Sequence, residues 1–373
     1  MADNKLLSTY TRSARTTALK NTLEKKSVRT LFLSGLSCSA VPLTFAALGE
    51  KHKNTILFIE NDADEAGYFY HDLCQLVGDE KALFFPSSYK RAVKYGQRDA
   101  ANEILRTEVL AHLSQMDSRL VVTYPEALAE LVVSKRDVDE RRLPLTREQR
   151  IDITDVEKQL RELGFQRQDY VYEPGQYAVR GSILDVYSFS SELPFRIDFF
   201  GDEIDTIRTF EVEDQLSKDR KEQIVIVPQL SEVLTEKRPL TSFLPDDTVY
   251  VCRDVTFILD RVGQIYDEGF SQQALTERLA QATEMEQQRI EQEMRRESQL
   301  VTRTVLQAEF SRMKRIEYGM QQQSGAEYDA VMEYHITPQP LFHKNFDIFR
   351  STLRQYAAAG YTVNILSDSE KQI

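Results

Sequence analysis

Between residues 30 and 135 one pattern repeats along the chain: a short apolar run, a stretch with apolar residues at helical spacing, then another apolar run. The runs are Thr30–Leu33, Thr55–Glu60, Ala82–Pro86 and Arg119–Tyr124, each with β-branched or aromatic members. The helical stretches between them are Leu43–Glu50, Ala63–Val77 and Ala100–Ser114. Strands separated by whole helices pair in parallel, because the crossover returns the chain to the end of the sheet where the first strand began. The pattern therefore predicts a parallel α/β sheet with helices on its faces.

From Leu145 the character changes. The stretch "TREQRIDITDVEKQLRELGF" reads as a charged helix with Val156, Leu160 and Leu163 on one face and Gly164 closing it. Strands follow in "DYVYEPGQYAVRG", "SILDVYSF" and "PFRIDFFGDEIDTIRTFEV". The last of these holds Gly201-Asp202 between two alternating runs, a hairpin signal. A helix followed by an antiparallel meander predicts an α+β insert over residues 137–212.

Residues 213–337 return to mixed strands, "IVIVP" and "TVYVCRD", and then to a stretch rich in Gln, Glu and Arg. That stretch predicts one long helix from about Ser271 to Met313. Its apolar positions do not hold a heptad, so packing on its own domain is expected rather than a coiled coil. Residues 338–373 read as a helix, a Gly stop, a strand, and a helix start at Ser367-Asp368-Ser369-Glu370. They look like the truncated start of a further α/β domain.

Length and charge narrow the function. At 373 residues the chain has room for two or three cores. A hydrophobic share of 41% and a charged share of 28% fit a soluble globular protein, and no run nears the roughly 18 apolar residues of a membrane span. A cytoplasmic protein is expected. The net charge of −12 argues against broad duplex binding, and the basic residues Lys90, Arg91, Lys94 and Arg98 read first as a solvated charged face rather than a binding one. Cys38, Cys74 and Cys252 have no C-x-x-C spacing and read as buried thiols. The five histidines (His52, His71, His112, His335, His343) form no metal-binding pattern.

The segment "LFLSGLSCSAVPLTFAAL", residues 31–48, has the strand, tight loop and helix of a phosphate-binding loop. A working loop of that kind needs G-x-x-x-x-G-K-[ST]. Here Gly35 is followed by Ser37 and Ser39, with no second Gly and no Lys. Neither the close backbone approach nor the charge for β/γ-phosphates is supplied, so no nucleotide and no other cofactor is expected. Gly35-Leu36-Ser37-Cys38-Ser39 also approaches a hydrolase elbow, but lacks its last Gly and an oxyanion loop. In "LFIENDADEAG" Glu60, Asn61, Asp62 and Asp64 offer a magnesium-site reading. The simpler reading is that Asn61 or Asp62 caps the helix from Ala63.

The stretch "GQYAVRGSILDVYSFSSELPFRIDFFGDEIDTIRTFEVEDQLS", residues 175–217, is more specific. It resembles the signature of the transcription-repair coupling factor family and, less closely, of the excision-repair protein UvrB. The shared pattern is an R-G, an I-L-D-V/I-F/Y, a P-x-R-I-D/E-F-F and a G-D-E-I-x-x-I-R-x-F. Gly181, Asp185, Pro194, Arg196, Phe199, Phe200, Gly201, Asp202, Glu203, Ile204, Ile207, Arg208 and Phe210 all fit it. The resemblance runs from about residue 10 to 320. UvrB keeps a working loop where this chain has Gly35, Ser37 and Ser39, which favours the coupling factors. A UvrB-type nucleotide- or DNA-handling enzyme is the alternative.

The resemblance implies a degenerate RecA/UvrB-like parallel-sheet domain in two chain segments, 1–136 and 213–337, with the insert at 137–212 between them. It implies that the insert binds UvrA, and that this fragment is not itself an enzyme. The full-length proteins it resembles use ATP to translocate on DNA and displace stalled RNA polymerase, through parts that follow residue 373. Carried over by position, Arg180 in the R-G pair, Arg167 in "FQRQDYV" and Tyr187 after "LDV" are the expected UvrA contacts. A planar guanidinium suits such a surface, since it engages carboxylates bidentately while its stem packs. UvrB has a further Arg where this chain has Ala178, and Tyr187 replaces a Phe common in the family. Arg196 and Arg208, with Asp198, Glu203 and Asp205 around them, are expected in structural cross-strand ion pairs.

Overall fold

The computed structural model describes residues 5–90, 92–114, 119–230, 237–280, 282–322, 325–337, 342 and 345–363. The first segment supplies strands β1 (Thr30–Ser34), β2 (Ile56–Ile59), β3 (Ala82–Phe84) and β4 (Leu120–Thr123). The insert follows with β5 (Leu143–Thr146), β6 (Gln166–Arg167), β7 (Gln176–Arg180) and β8 (Ile183–Val186). It continues with β9 (Phe195–Phe200), β10 (Glu203–Phe210), β11 (Ser217–Lys221) and β12 (Gln223–Ile226). The second segment adds β13 (Val249–Cys252), β14 (Lys314–Gly319) and β15 (Ala330–Glu333).

Strands from both segments make one seven-stranded sheet in the order β15-β1-β14-β13-β2-β4-β3. Every pairing in it is parallel. All four residues of β2, β4 and β13 are buried, as expected for parallel strands covered on both faces. The helices Ala40–Lys51, Ala63–Val77 and Ala100–Ser114 lie between the early strands, as their spacing predicts. Asp62 caps the second of these, its carboxylate accepting from the Glu65 N–H at 2.9 Å.

The insert is built around a six-stranded sheet, β11-β10-β9-β8-β7-β6, antiparallel except for the short β6–β7 pair. The Gly201-Asp202 hairpin joins β9 to β10 as expected. Along β9 burial alternates: Phe195, Ile197 and Phe199 point inward, Arg196 and Asp198 outward. Val156 and Leu160 of the helix Ile153–Glu162 pack on that inner face against Tyr177, Leu184, Ile197 and Ile207. Each such fully buried side chain contributes roughly 1.5–3 kcal/mol. The helix starts later than the charged stretch suggests, because Thr146 belongs to β5, which pairs with β12. Asp152 then caps it, accepting from the Thr154 N–H at 2.8 Å. The insert's sheet runs past residue 212, through β11.

The long helix expected over 271–313 is four short ones: Gln272–Ala280, Glu284–Glu293, Arg296–Gln299 and Arg303–Phe310. Thr283 starts the second with a capping box to Glu286, and Thr302 caps the fourth. Between the third and fourth, Leu300 is drawn out into extended pairing with Glu130. Two bonds fix that break, Leu131 N–H to Gln299 C=O at 2.8 Å and Val301 N–H to Ala129 C=O at 2.7 Å. The thiols also differ from expectation. Cys252 is buried and Cys74 half-buried, but Cys38 is exposed in the loop after β1.

Residues 335–373 cluster as a second unit, apart from 1–334. Its described part is the helix Phe346–Ala358, capped by Asn345. The expected helix start at Ser367–Glu370 lies outside the described residues, as do Arg91 and His343. Among the described residues no helix is long and apolar enough to cross a membrane.

Candidate partner-binding site

The outer face of the insert's sheet, opposite the helix Ile153–Glu162, carries the charged residues of the motif. Register sets them in a row across four strands: Ala178 of β7 faces Asp185 of β8, Asp185 faces Arg196 of β9, and Arg196 faces Arg208 of β10. Two arginines side by side would repel, and each turns to a carboxylate instead. Arg208 bonds Asp198, as expected. Arg196 does not use Asp198, Glu203 or Asp205. It turns the other way and grips Asp185, with Nε 2.8 Å from Oδ1 and Nη2 2.9 Å from Oδ2. Its guanidinium lies 4.3 Å over the Phe210 ring and also donates to the Gln215 carbonyl at 3.0 Å. Those bonds to Asp185 push its pKa further up.

Asp185 is fully buried at 0% exposure, and it serves a second arginine. Arg180, the last residue of β7, donates Nη2 to Asp185 Oδ2 and Nη1 to the Asp169 carbonyl at 3.1 Å. It lies 4.8 Å from the ring centre of Tyr170, itself about half exposed. Arg180 keeps 34% of its side chain exposed, against 14% for Arg196. The turn that presents it is Gly181, at φ +63, where a Cβ would meet nothing within 4 Å.

Tyr187 shares this face. Its ring packs on a small cluster of Val171, Ala178 and Phe210, and its hydroxyl donates to the Glu192 carbonyl at 2.6 Å. Arg167 does not share it. Its neighbour in register is Tyr177, which points into the inner core. Arg167 accordingly reaches Glu157 of the covering helix, Nη1 to Oε1 at 2.8 Å, and is 57% exposed. The fold thus puts Arg180 and Tyr187 on one face and leaves Arg167 on the other side of the sheet. The motif includes Asp185 without revealing its role, and Tyr170 lies outside it. An acid between Leu184 and Val186 in a buried strand is the signal for the first, because such a charge needs a partner. Nothing in the sequence marks Tyr170.

The loop after β1 has its own geometry. Gly35, at φ +77, donates its N–H to the Gly319 carbonyl at 2.7 Å, extending the sheet. A Cβ there would sit 2.1 Å from the Tyr334 carbonyl oxygen. Ser37 Oγ is buried and makes no hydrogen bond, and Ser39 precedes the helix Ala40–Lys51 without a side-chain cap. Opposite the loop stands Glu60, just past the end of β2, accepting from the Tyr318 hydroxyl at 3.1 Å. Burial raises its pKa to about 7, against the pull of Arg253 and Tyr318. Arg253 spans Glu65 at 3.2 Å and Glu60 at 3.9 Å. Among the described residues no cluster of His, Cys, Asp or Glu is placed to hold a metal ion.

Comparison with known proteins falls on the same region. The sequence profile of the UvrB interaction domain matches residues 143–231. The transcription-repair-coupling factor of Escherichia coli (strain K12) is 28% identical over 236 residues, 62% of this chain and 20% of that protein. That of Bacillus subtilis (strain 168) is 28% identical over 52% of the chain and 17% of its own length. That of Haemophilus influenzae is 29% identical over 50% of the chain and 16% of its own length. The matched region is thus no more than a fifth of these relatives. Residues 143–231 thus match the UvrB interaction domain, within a chain similar over about half its length or more to part of the transcription-repair-coupling factors.

Proposed function

We propose that this chain serves transcription-coupled excision repair by recruiting UvrA, through the outer face of its UvrB interaction domain. Arg180 is the central contact, Tyr187 adds a further one on the same face, and Arg167 is a peripheral one reached around the sheet edge. The observation that carries this reading is the guanidinium of Arg180, about a third exposed and held over Tyr170 within the residues that the domain profile matches. A partner carboxylate meeting it would gain a charge-assisted bond where the donor is already ordered. We further propose that the loop at Gly35, Ser37 and Ser39 binds no nucleotide and that the fragment needs no cofactor. The N–H of Gly35 is committed to the sheet, and the nearby cation, Arg253, is held by two carboxylates. ATP use, DNA contact and displacement of RNA polymerase would then belong to the rest of a longer protein.

Calorimetric titration of the chain separates this reading from a UvrB-type enzyme. UvrA should bind saturably, and magnesium-ATP at millimolar concentration should give no saturable heat. Saturable ATP binding that is lost on enlarging Ser37 or Ser39, with no response to UvrA, would favour the enzyme.

A further inference from the structure

We infer that Asp185 is the positioning residue of this interface: it holds Arg180 edge-outward for a partner carboxylate, while Arg196 supplies the charge that keeps the site positive. The inference rests on the UvrA-recruiting reading and extends it to a residue beneath the surface. A carboxylate paired with one arginine makes a neutral unit with little left to offer an acidic partner. Asp185 instead takes two, so the three groups together carry a net positive charge. The two arginines are not equivalent. Arg196 binds through a two-pronged contact, is nearly buried over Phe210, and is tied again to Gln215. It satisfies Asp185 on its own. Arg180 uses one nitrogen on Asp185 and another on the Asp169 carbonyl, with Tyr170 beneath its plane.

Those three holds fix the guanidinium plane. A guanidinium has five N–H donors, and two nitrogens bonded inward leave others facing outward. Fixing the plane before association removes rotamer entropy that the interface would otherwise lose. Lysine could not replace it, because a single ammonium cannot hold Asp169, Asp185 and a partner in one planar array.

The test is a double-mutant cycle on the full chain, with dissociation constants for UvrA read by calorimetry and folding checked by thermal melts. Arg180→Ala should weaken binding about tenfold or more. Asp185→Asn should weaken it severalfold in the wild-type background and leave the Arg180→Ala background within twofold. A loss equal in both backgrounds would overturn the inference, because Asp185 would then act on the domain as a whole. If Arg180→Ala binds like wild type, the recruiting reading itself fails, a different result from equal losses. Should Asp185→Asn not fold, Arg180→Lys decides, since its site is partly exposed. A loss as large as that of Arg180→Ala supports positioning, and wild-type affinity overturns it.

Discussion

At the scale of single residues, burial and partner number separate the structural charges from the presenting ones. Removing Arg196 leaves fully buried Asp185 with one partly exposed partner, and strips the cover from Phe210. Arg196→Ala should cost on the order of 2 kcal/mol or more, read from urea denaturation. Arg180→Ala leaves the two-pronged Arg196 contact in place and should cost under about 1 kcal/mol. Glu60 gives a pH test. Its folded pKa, about 7, lies above the ordinary carboxylate value, so between the two the folded state binds the extra proton. Stability from this group is therefore present at low pH and lost as pH rises toward 7. Glu60→Gln should be more stable than wild type at pH 8, by on the order of 1 kcal/mol, with the advantage shrinking toward pH 5. An advantage that does not change with pH would contradict the assignment. The sequence made Arg180 and Arg208 legible through their motif. It hid the choice Arg196 makes, because Asp185 faces it from the next strand while Asp198 lies two residues along its own, and only register and depth decide.

At the scale of elements, glycine positions show which turns the fold cannot alter. Gly35 combines a left-handed backbone with a carbonyl where a side chain would begin, whereas Gly181 needs only the backbone conformation. Gly35→Ala should cost more than about 2 kcal/mol. Gly181→Ala should cost about 1 kcal/mol, both measured by thermal or urea unfolding. Equal costs would mean that the loop after β1 can move away from Tyr334. Strands and helices of the first segment were readable because each carries its own apolar period, and caps such as Asp62 mark the ends. The stretch at 271–313 was not, because its composition is helical throughout. Its last break comes from pairing of Leu300 with Glu130, a contact 170 residues away that no local pattern records.

At the scale of the whole molecule, the parallel sheet is assembled from both sides of the insert. β14 inserts between β1 and β13, and β15 lies at the edge beside β1. The class of sheet was legible in the βαβ rhythm, but this interleaving was not, since strand order follows from long-range packing rather than from the strands' own residues. The insert has a hydrophobic core of its own, so its outer face should tolerate change without unsettling the parallel sheet. Recruitment of UvrA by this outer face should depend on Arg180. The most direct measurement is UvrA affinity of Arg180→Ala and Arg196→Ala beside their melting temperatures. Arg180→Ala should lose about tenfold or more in affinity and melt near wild type, while Arg196→Ala melts lower. Wild-type affinity in a well-folded Arg180→Ala chain would exclude Arg180 as the UvrA contact.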